Sequence, residues 1–195
     1  NRGERWVFKI IPIQHQEEMT WKRYTFSLLI FSSIGGLFLL LLQLFQGYLP
    51  GNPNQLPNVS WHLALNTTIS FITNTNWQSY SGESTMSYLV QSLGLTVQNF
   101  LSAAIGISVL VALIRGFKRS STGTIGNFWI DLVRSTLFIL LPLSILLTIP
   151  LIQQGTIQNF NANQVIKTIE GAEQVLPMGP AASQIAIKQL GTNGG

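Results

Sequence analysis

A continuous apolar run near the start of the chain, from Phe26 to Gln46, constrains the fold more than any other feature. At a rise of about 1.5 Å per residue, a helix over this run reaches about 30 Å, which is the thickness of the hydrocarbon core of a bilayer. We interpret the run as a transmembrane span rather than a signal peptide, whose apolar region is shorter.

Two further segments, 84–117 and 128–152, are also long and apolar enough to cross a bilayer. Charged residues make up only 9% of the chain, and none lies between Arg23 and Glu83. Such charge-free stretches are typical of membrane proteins and not of soluble domains. The second span contains several polar side chains that we expect to face protein or water, because they are costly against lipid: Gln91, Thr96, Gln98 and Asn99.

The third span carries two charges and a proline. Asp131 and Arg134 stand one turn apart, so we expect them to neutralise each other. Pro142 is expected to kink this helix, because it lacks a backbone N–H.

The positions of lysine and arginine predict the orientation of the spans. Basic residues precede the first span and join the second to the third: Arg2, Arg5, Lys9, Lys22, Arg23, Arg115, Lys118 and Arg119. Positive charge is retained in the cytoplasm, so both segments are predicted to be cytoplasmic. The segments 47–60 and 153–176 are then external.

Between the first two spans lies a moderately apolar segment, Ser60 to Thr73, followed by the polar run Thr73 to Ser79. A helix from Trp61 would cover about 20 Å, too short to cross. We therefore predict a half-helix, introduced by Pro57 and capped by Ser60, that enters from outside and returns as extended backbone. Such backbone could offer carbonyl oxygens to a cation. A polar surface loop after an interfacial helix is the alternative.

A similar order of elements follows the third span. Pro180 can open a short helix that ends at Leu190, and "GTNG" at 191–194 then echoes "NTNW" at 74–77. The sequence therefore predicts a repeated unit of span, half-helix and polar turn. Repeated units are how many channels and transporters form a site between related parts.

Several motifs in order resemble the KdpA family, the potassium-binding and translocating subunits of ATP-driven potassium uptake pumps: "NTNWQSYSGE", "GLTVQNFLSAA", "ALIRGF", "GNFWIDLVR" and "LPMGPAASQIAIKQLGTNGG". The resemblance implies an all-α polytopic membrane protein with the fold of the superfamily of potassium transporters. In that fold, units of span, pore helix, filter and span are repeated around one pore. The chain resembles about the first half of the family, with about one and a half repeats.

The resemblance also implies an organisation of the chain. A cytoplasmic or interfacial lead-in covers residues 1–24, and the first repeat covers 25–117. A cytoplasmic loop follows at 118–127, and the second repeat begins at 128 and continues to 195.

Residues that match the family's filters are implied to bind K⁺. They are Asn74, Thr75 and Asn76 in the first filter, with Gln78 just beyond it, and Thr192, Asn193 and Gly194 in the second. K⁺ is then the transported ligand, and no covalently bound cofactor is implied. The implied partners are a P-type ATPase catalytic subunit, which hydrolyses ATP, small accessory subunits and the lipid bilayer. The implied location is the bacterial inner membrane.

Other function classes are less consistent with the sequence. A stand-alone potassium channel or ion-gradient transporter of the same superfamily remains the alternative. A membrane-embedded enzyme is disfavoured, because we find no catalytic constellation or phosphate-binding loop. His15 and His62 have no acid or thiolate at ligand spacing, so no transition-metal site is expected. Nucleic-acid binding would need a soluble surface rich in basic residues, and the sequence offers no such surface.

Overall fold

The computed structural model describes residues 17–75, 77–119 and 122–192. Its helices are α1 (Trp21–Leu44), α2 (Trp61–Ile72), α3 (Gly82–Thr85), α4 (Val97–Lys118), α5 (Phe128–Arg134), α6 (Leu141–Gln153) and α7 (Ala181–Leu190). A 3₁₀ turn covers Gln46–Tyr48, and π-helical segments cover Val90–Thr96 and Ser135–Leu140. Two strands, β1 (Gln164–Lys167) and β2 (Glu173–Leu176), form an antiparallel hairpin.

Three continuous helices are long and apolar enough to cross a membrane: Trp21–Leu44, Val90–Lys118 and Phe128–Gln153. They confirm the three predicted spans. Large apolar side chains such as Leu37, Leu110 and Leu146 are more than half exposed on their outer faces, as expected for surfaces that meet lipid or further protein. The hairpin of β1 and β2 adds a small element that the helical prediction did not contain.

The first span and the short helix α2 pack closely together. A Cβ atom at Gly36 would lie 3.3 Å from the Cγ2 atom of Ile72, so a larger residue would require Ile72 to shift by a few tenths of an ångström. The buried amide of Gln43 donates to the carbonyl of Ala64 and to the hydroxyl of Thr68. In this way the amide nitrogen of Gln43 is satisfied by the neighbouring short helix, whereas its amide oxygen is buried without a partner.

The helix start of α2 differs in one respect from the prediction. Ser60 occupies the N-cap position, but its side chain makes no capping hydrogen bond. The outer end of the first span is instead fixed by Gln46, whose amide nitrogen donates to the carbonyls of Pro57 and Thr85 and whose oxygen accepts from the N–H of Ser87. Gln46 thus joins the chain on both sides of α2.

The opposite ends of the three spans meet at a buried ion pair. Arg115 in α4 donates to both carboxylate oxygens of Asp131 in α5, at 2.5 and 2.8 Å. The hydroxyl of Tyr24 in α1 donates to the same carboxylate at 3.1 Å. The expected pairing of Asp131 with Arg134 is therefore wrong, because the bidentate geometry of Arg115 across two helices occupies both oxygens.

The lead-in and the loop between the second and third spans lie side by side. The N–H of Met19 donates to the carbonyl of Gly126, and the N–H of Ile125 donates to the carbonyl of Met19. Arg119 and Thr124 hydrogen-bond the carboxylate of Glu18 and lower its pKa. The described parts of both basic segments therefore lie at one end of the bundle, and the side of the membrane that they face stays a prediction.

The third span passes Pro142 without interruption. The π-helical segment Ser135–Leu140 directly precedes α6, whose first turn contains Pro142. A π-helical turn is wider than an α-helical one and accommodates a residue that can neither donate a hydrogen bond nor approach the preceding turn closely. The kink itself stays a prediction.

Cysteine labelling tests the orientation of the spans. Lys118 ends α4 and is exposed, and Glu170 lies exposed in the turn between β1 and β2. Because the chain contains no cysteine, Lys118→Cys and Glu170→Cys each introduce a single labelling site. We expect a membrane-impermeant thiol reagent to label them from opposite sides of sealed vesicles. Labelling of both from one side would contradict the topology.

Removing the buried carboxylate tests the ion pair. Asp131→Asn in the full-length protein should lower the free energy of unfolding by about 3 kcal/mol, because it leaves Arg115 partly buried without its counter-charge. Denaturant titration in detergent micelles measures the change. Glu17→Gln is the matched control, because it breaks an ion pair with Arg23 whose side chains are 60% and 55% exposed, and should cost less than about 1 kcal/mol. Equal losses in the free energy of unfolding of the two variants would show that the ion pair of Asp131 does not stabilise the fold more than an exposed pair does.

Candidate functional site

The chain that leaves α2 is held by hydroxyl groups, and we call residues 73–75 the first turn. The carbonyl of Ser70 accepts hydrogen bonds from the N–H and the hydroxyl of Thr75, both at 3.1 Å, and the hydroxyl of Thr73 donates to the carbonyl of Ile69 at 2.8 Å. The Ser70 hydroxyl in turn donates to the carbonyl of Trp77 at 2.9 Å. Threonine and serine hydroxyls therefore support a backbone in which the regular helical hydrogen bonds end at Thr73.

Asn74 lies at the centre of the first turn with a left-handed backbone, at φ 58°. Asparagine adopts this conformation more readily than most residues. The hydroxyl of Ser102, in α4, donates to its Oδ1 atom at 2.8 Å. A residue of the second span thus orients the first turn.

The second turn, Gly191 and Thr192, leaves α7 in the same way. The N–H of Gly191 donates to the carbonyl of Ile187, and the N–H of Thr192 donates to that of Gln189. Thr192 is also left-handed, at φ 59°. A β-branched residue is rare in that conformation, and strained backbone of this kind is common at ligand sites.

The two turns touch one another. The Nδ2 atom of Asn74 donates to the carbonyl of Gly191 at 3.4 Å, which joins residues 117 positions apart. The left-handed residues are Asn74 and Thr192, one position out of the register in which "NTNW" and "GTNG" align. The conformations of the two turns are therefore related, but their sequence motifs are not placed identically.

Four of the seven predicted ion-binding residues lie within the described part of the chain: Asn74, Thr75, Gln78 and Thr192. Asn74 contacts the second turn through the carbonyl of Gly191. Gln78 is exposed beyond the first turn, and its amide nitrogen donates to the carbonyl of Tyr80 at 2.9 Å. Asn76, Asn193 and Gly194 lie outside the described residues.

A cavity of about 540 Å³ adjoins Gln78 and separates the chain after the first turn from α7. Its walls include Tyr80, Asn99 and Gln184. Asn99 is fully buried, and neither atom of its side-chain amide has a hydrogen-bond partner. A buried polar group without a partner is unfavourable, so the inner end of the cavity is suited to a water molecule or another polar ligand.

The electrostatics of this arrangement favour a cation. α2 and α7 each end at one of the turns, so the carbonyl ends of both helices, which carry partial negative charge, lie close together. Neither helix has an acidic residue in its first turn, and only α7 has a basic residue, Lys188, in its last turn. Within residues 17–75, 77–119 and 122–192, no group of three or more His, Asp or Glu side chains could hold a metal ion.

The fold and the site define a class, a helical multi-pass membrane protein in which two short helices end beside each other at polar turns. A family model named KdpA and described as "Potassium-transporting ATPase A subunit" matches residues 1–195. The chain belongs to the KdpA family.

Curated relatives are similar over almost the whole chain. A protein of Clostridium botulinum (strain Eklund 17B / Type B) is 55% identical over 98% of this chain, and one of Cronobacter sakazakii is 58% identical over 98%. A third, from Escherichia coli O139:H28, is 57% identical over 98%. Each is named "Potassium-transporting ATPase potassium-binding subunit".

The chain spans 34% to 35% of the length of these relatives. The resemblance implied that the chain covers about half the length of a family member, so the expected fraction was too large. The helical, multi-pass class is confirmed, whereas the repeat organisation and its boundaries stay predictions.

Sequence reasoning did not identify the residues that hold the first turn from behind. Ser70 and Ser102 are both buried, and each bonds to the chain after α2. Both lie in apolar helices, where a small hydroxyl residue is common and gives little signal. The polar residues Gln98 and Asn99 were expected to face protein or water, and both are buried within the protein.

Ser102→Ala in the full-length protein tests the link between α4 and the first turn. We expect a loss of about 1 kcal/mol in the free energy of unfolding, because the hydrogen bond from the buried Ser102 hydroxyl to the Oδ1 atom of Asn74 is removed. Ser108→Ala is the control on the same helix, since its buried hydroxyl donates only to the carbonyl of Ala104, and its loss should have almost no effect. Both are measured by denaturant titration in detergent. Equal losses would contradict a specific role for Ser102.

Proposed function

We propose that this chain is the part of a potassium-binding subunit that forms the first half of its ion site, within an ATP-driven uptake pump of the bacterial inner membrane. K⁺ is bound from the external side at the two turns. It is then passed to a P-type ATPase subunit, which hydrolyses ATP. Small accessory subunits complete the complex.

The hydrogen bond from Asn74 to the carbonyl of Gly191 carries this proposal. It draws together the ends of two helices that are too short to cross a membrane, at about 18 Å for α2 and about 15 Å for α7. Irregular backbone at membrane depth is tolerated where it is buried in protein or lines a water-filled cavity. Backbone carbonyl oxygens in such a place can replace the hydration shell of a monovalent cation.

The side chains have a supporting role in this proposal. The hydroxyls of Ser70, Thr73 and Thr75 are engaged with backbone carbonyls, and the amide of Asn74 is engaged with Ser102 and Gly191. We therefore assign ion binding mainly to main-chain oxygens of residues 74–76 and 192–194. The side chains determine the spacing of these oxygens.

The family and the printed names of the relatives favour a pump over the alternative of a stand-alone channel or gradient-driven transporter. Those names couple potassium binding to an ATPase. In this proposal the partner subunit hydrolyses ATP.

Gln78→Arg in the full-length subunit, assembled with its ATPase partner, tests the site. A fixed positive charge at about 4 Å costs about 4 kcal/mol at an effective dielectric near 20, but Gln78 is exposed, and solvent screens much of this. We expect about a tenfold increase in the K⁺ concentration that half-saturates ATP hydrolysis, with unchanged assembly.

Two controls accompany this variant. Gln164→Arg adds the same charge to the exposed strand β1 and should leave half-saturation unchanged. Thr75→Ser retains the hydroxyl that donates to Ser70 and should be mild. Wild-type half-saturation in Gln78→Arg would show that the ion is not selected near the first turn.

A further inference from the structure

The cavity beside Gln78 lies next to the first turn, and its largely apolar walls carry a few amide and charged side chains. It is bounded by the chain after the first turn, by the outer part of the second span and by α7. The amide and charged side chains in its walls are those of Gln78, Glu83, Gln91, Asn99, Gln184 and Lys188. A cavity of this size and polarity is large enough to hold several water molecules.

Neutral amides make this cavity suitable for a cation. The amide nitrogen of Gln184 donates to the amide oxygen of Gln91 at 3.0 Å, which ties α7 to the second span. The fully buried amide of Asn99 has no partner. Amide oxygens are cation ligands of the same chemical type as backbone carbonyls, so this cavity could compete with the turns for ions.

Lys188 is the feature that opposes such competition. It lies in the last turn of α7, is half-buried and lines the cavity. No hydrogen bond or ion pair joins its ammonium group to the described part of the chain. Glu83 is the acidic residue among the cavity walls, but it is exposed in the short helix α3, where solvent screens its charge.

We propose that Lys188 excludes cations from this cavity, so that ions are bound at the two turns and not at the neighbouring amides. The inference rests on the proposed function and adds a specificity-determining residue to it. Fixed positive charges act in this way in other selective pores, where they form electrostatic barriers to cations. Lys188 is one turn before Gly191, so its charge also weakens cation binding at the second turn, and the inference requires this effect to be smaller than the effect in the cavity that Lys188 lines.

The size of the effect follows from Coulomb's law. A partly buried unit charge several ångströms away weakens the binding of a monovalent cation by about tenfold or more. Loss of the charge should therefore admit cations that the turns discriminate against. Sodium is the suitable probe, because neutral amides bind hydrated or partly hydrated monovalent cations with little discrimination by size.

Lys188→Gln and Lys188→Arg test the proposal in the complete complex with the full-length subunit. The measurement is the dependence of ATP hydrolysis on K⁺ and on Na⁺, after the wild-type complex has been shown to require K⁺. We expect Lys188→Gln to reduce discrimination between K⁺ and Na⁺ by about tenfold. Lys188→Arg retains the positive charge and should discriminate like the wild type. Lys167→Gln removes an exposed lysine in β1 and should have no effect.

Three other outcomes would overturn the inference, and a fourth would contradict the proposed function on which it rests. Unchanged discrimination in Lys188→Gln would show that the cavity does not compete for ions. Equal loss in Lys188→Gln and Lys188→Arg would show that the lysine acts through its shape. If Lys188→Gln and Lys188→Met both fail to assemble while Lys188→Arg assembles, the ammonium pairs with an acid elsewhere in the complex. A wild-type complex that ignores K⁺ would instead contradict the proposed function.

Discussion

Backbone that leaves a short helix inside a membrane protein must find hydrogen-bond partners without water, and this constraint governs the region around the two turns. After α2 the N–H groups of residues 73–75 donate to carbonyls of the helix, and the hydroxyls of Ser70 and Thr75 donate to the carbonyls of Trp77 and Ser70. After α7 the carbonyl of Gly191 accepts from Asn74. The short helices can end where they do because neighbouring elements supply these groups.

The same requirement explains the polar residues of the apolar spans. Gln43 satisfies its amide nitrogen on α2, and Gln46 joins the chain on both sides of that helix. At the other end of the bundle, Arg115 and Asp131 join α4 to α5. Each of these four side chains forms a contact between two elements. Such contacts are needed because apolar surfaces alone give little specificity between helices that are surrounded by lipid.

Two different kinds of polar space result. The turns combine constrained backbone with converging carbonyl ends of helices, whereas the adjoining cavity combines neutral amides with the ammonium group of Lys188. In the proposed function a cation binds at the turns, and in the further inference Lys188 opposes its binding in the cavity.

The sequence by itself determined the three spans, the two short helices and their order. These features depend on local runs of apolar residues and on helix-start signals such as Pro180, which lies at the N-cap of α7. Only the tertiary structure decided that Asp131 pairs with Arg115 and not with Arg134, that Ser102 holds Asn74, and that Asn74 reaches Gly191. Those contacts join distant parts of the chain, and the packing of helices selects among many polar side chains of similar type. Hydropathy and spacing indicate which segments lie in the membrane, but not which of their polar side chains contact each other.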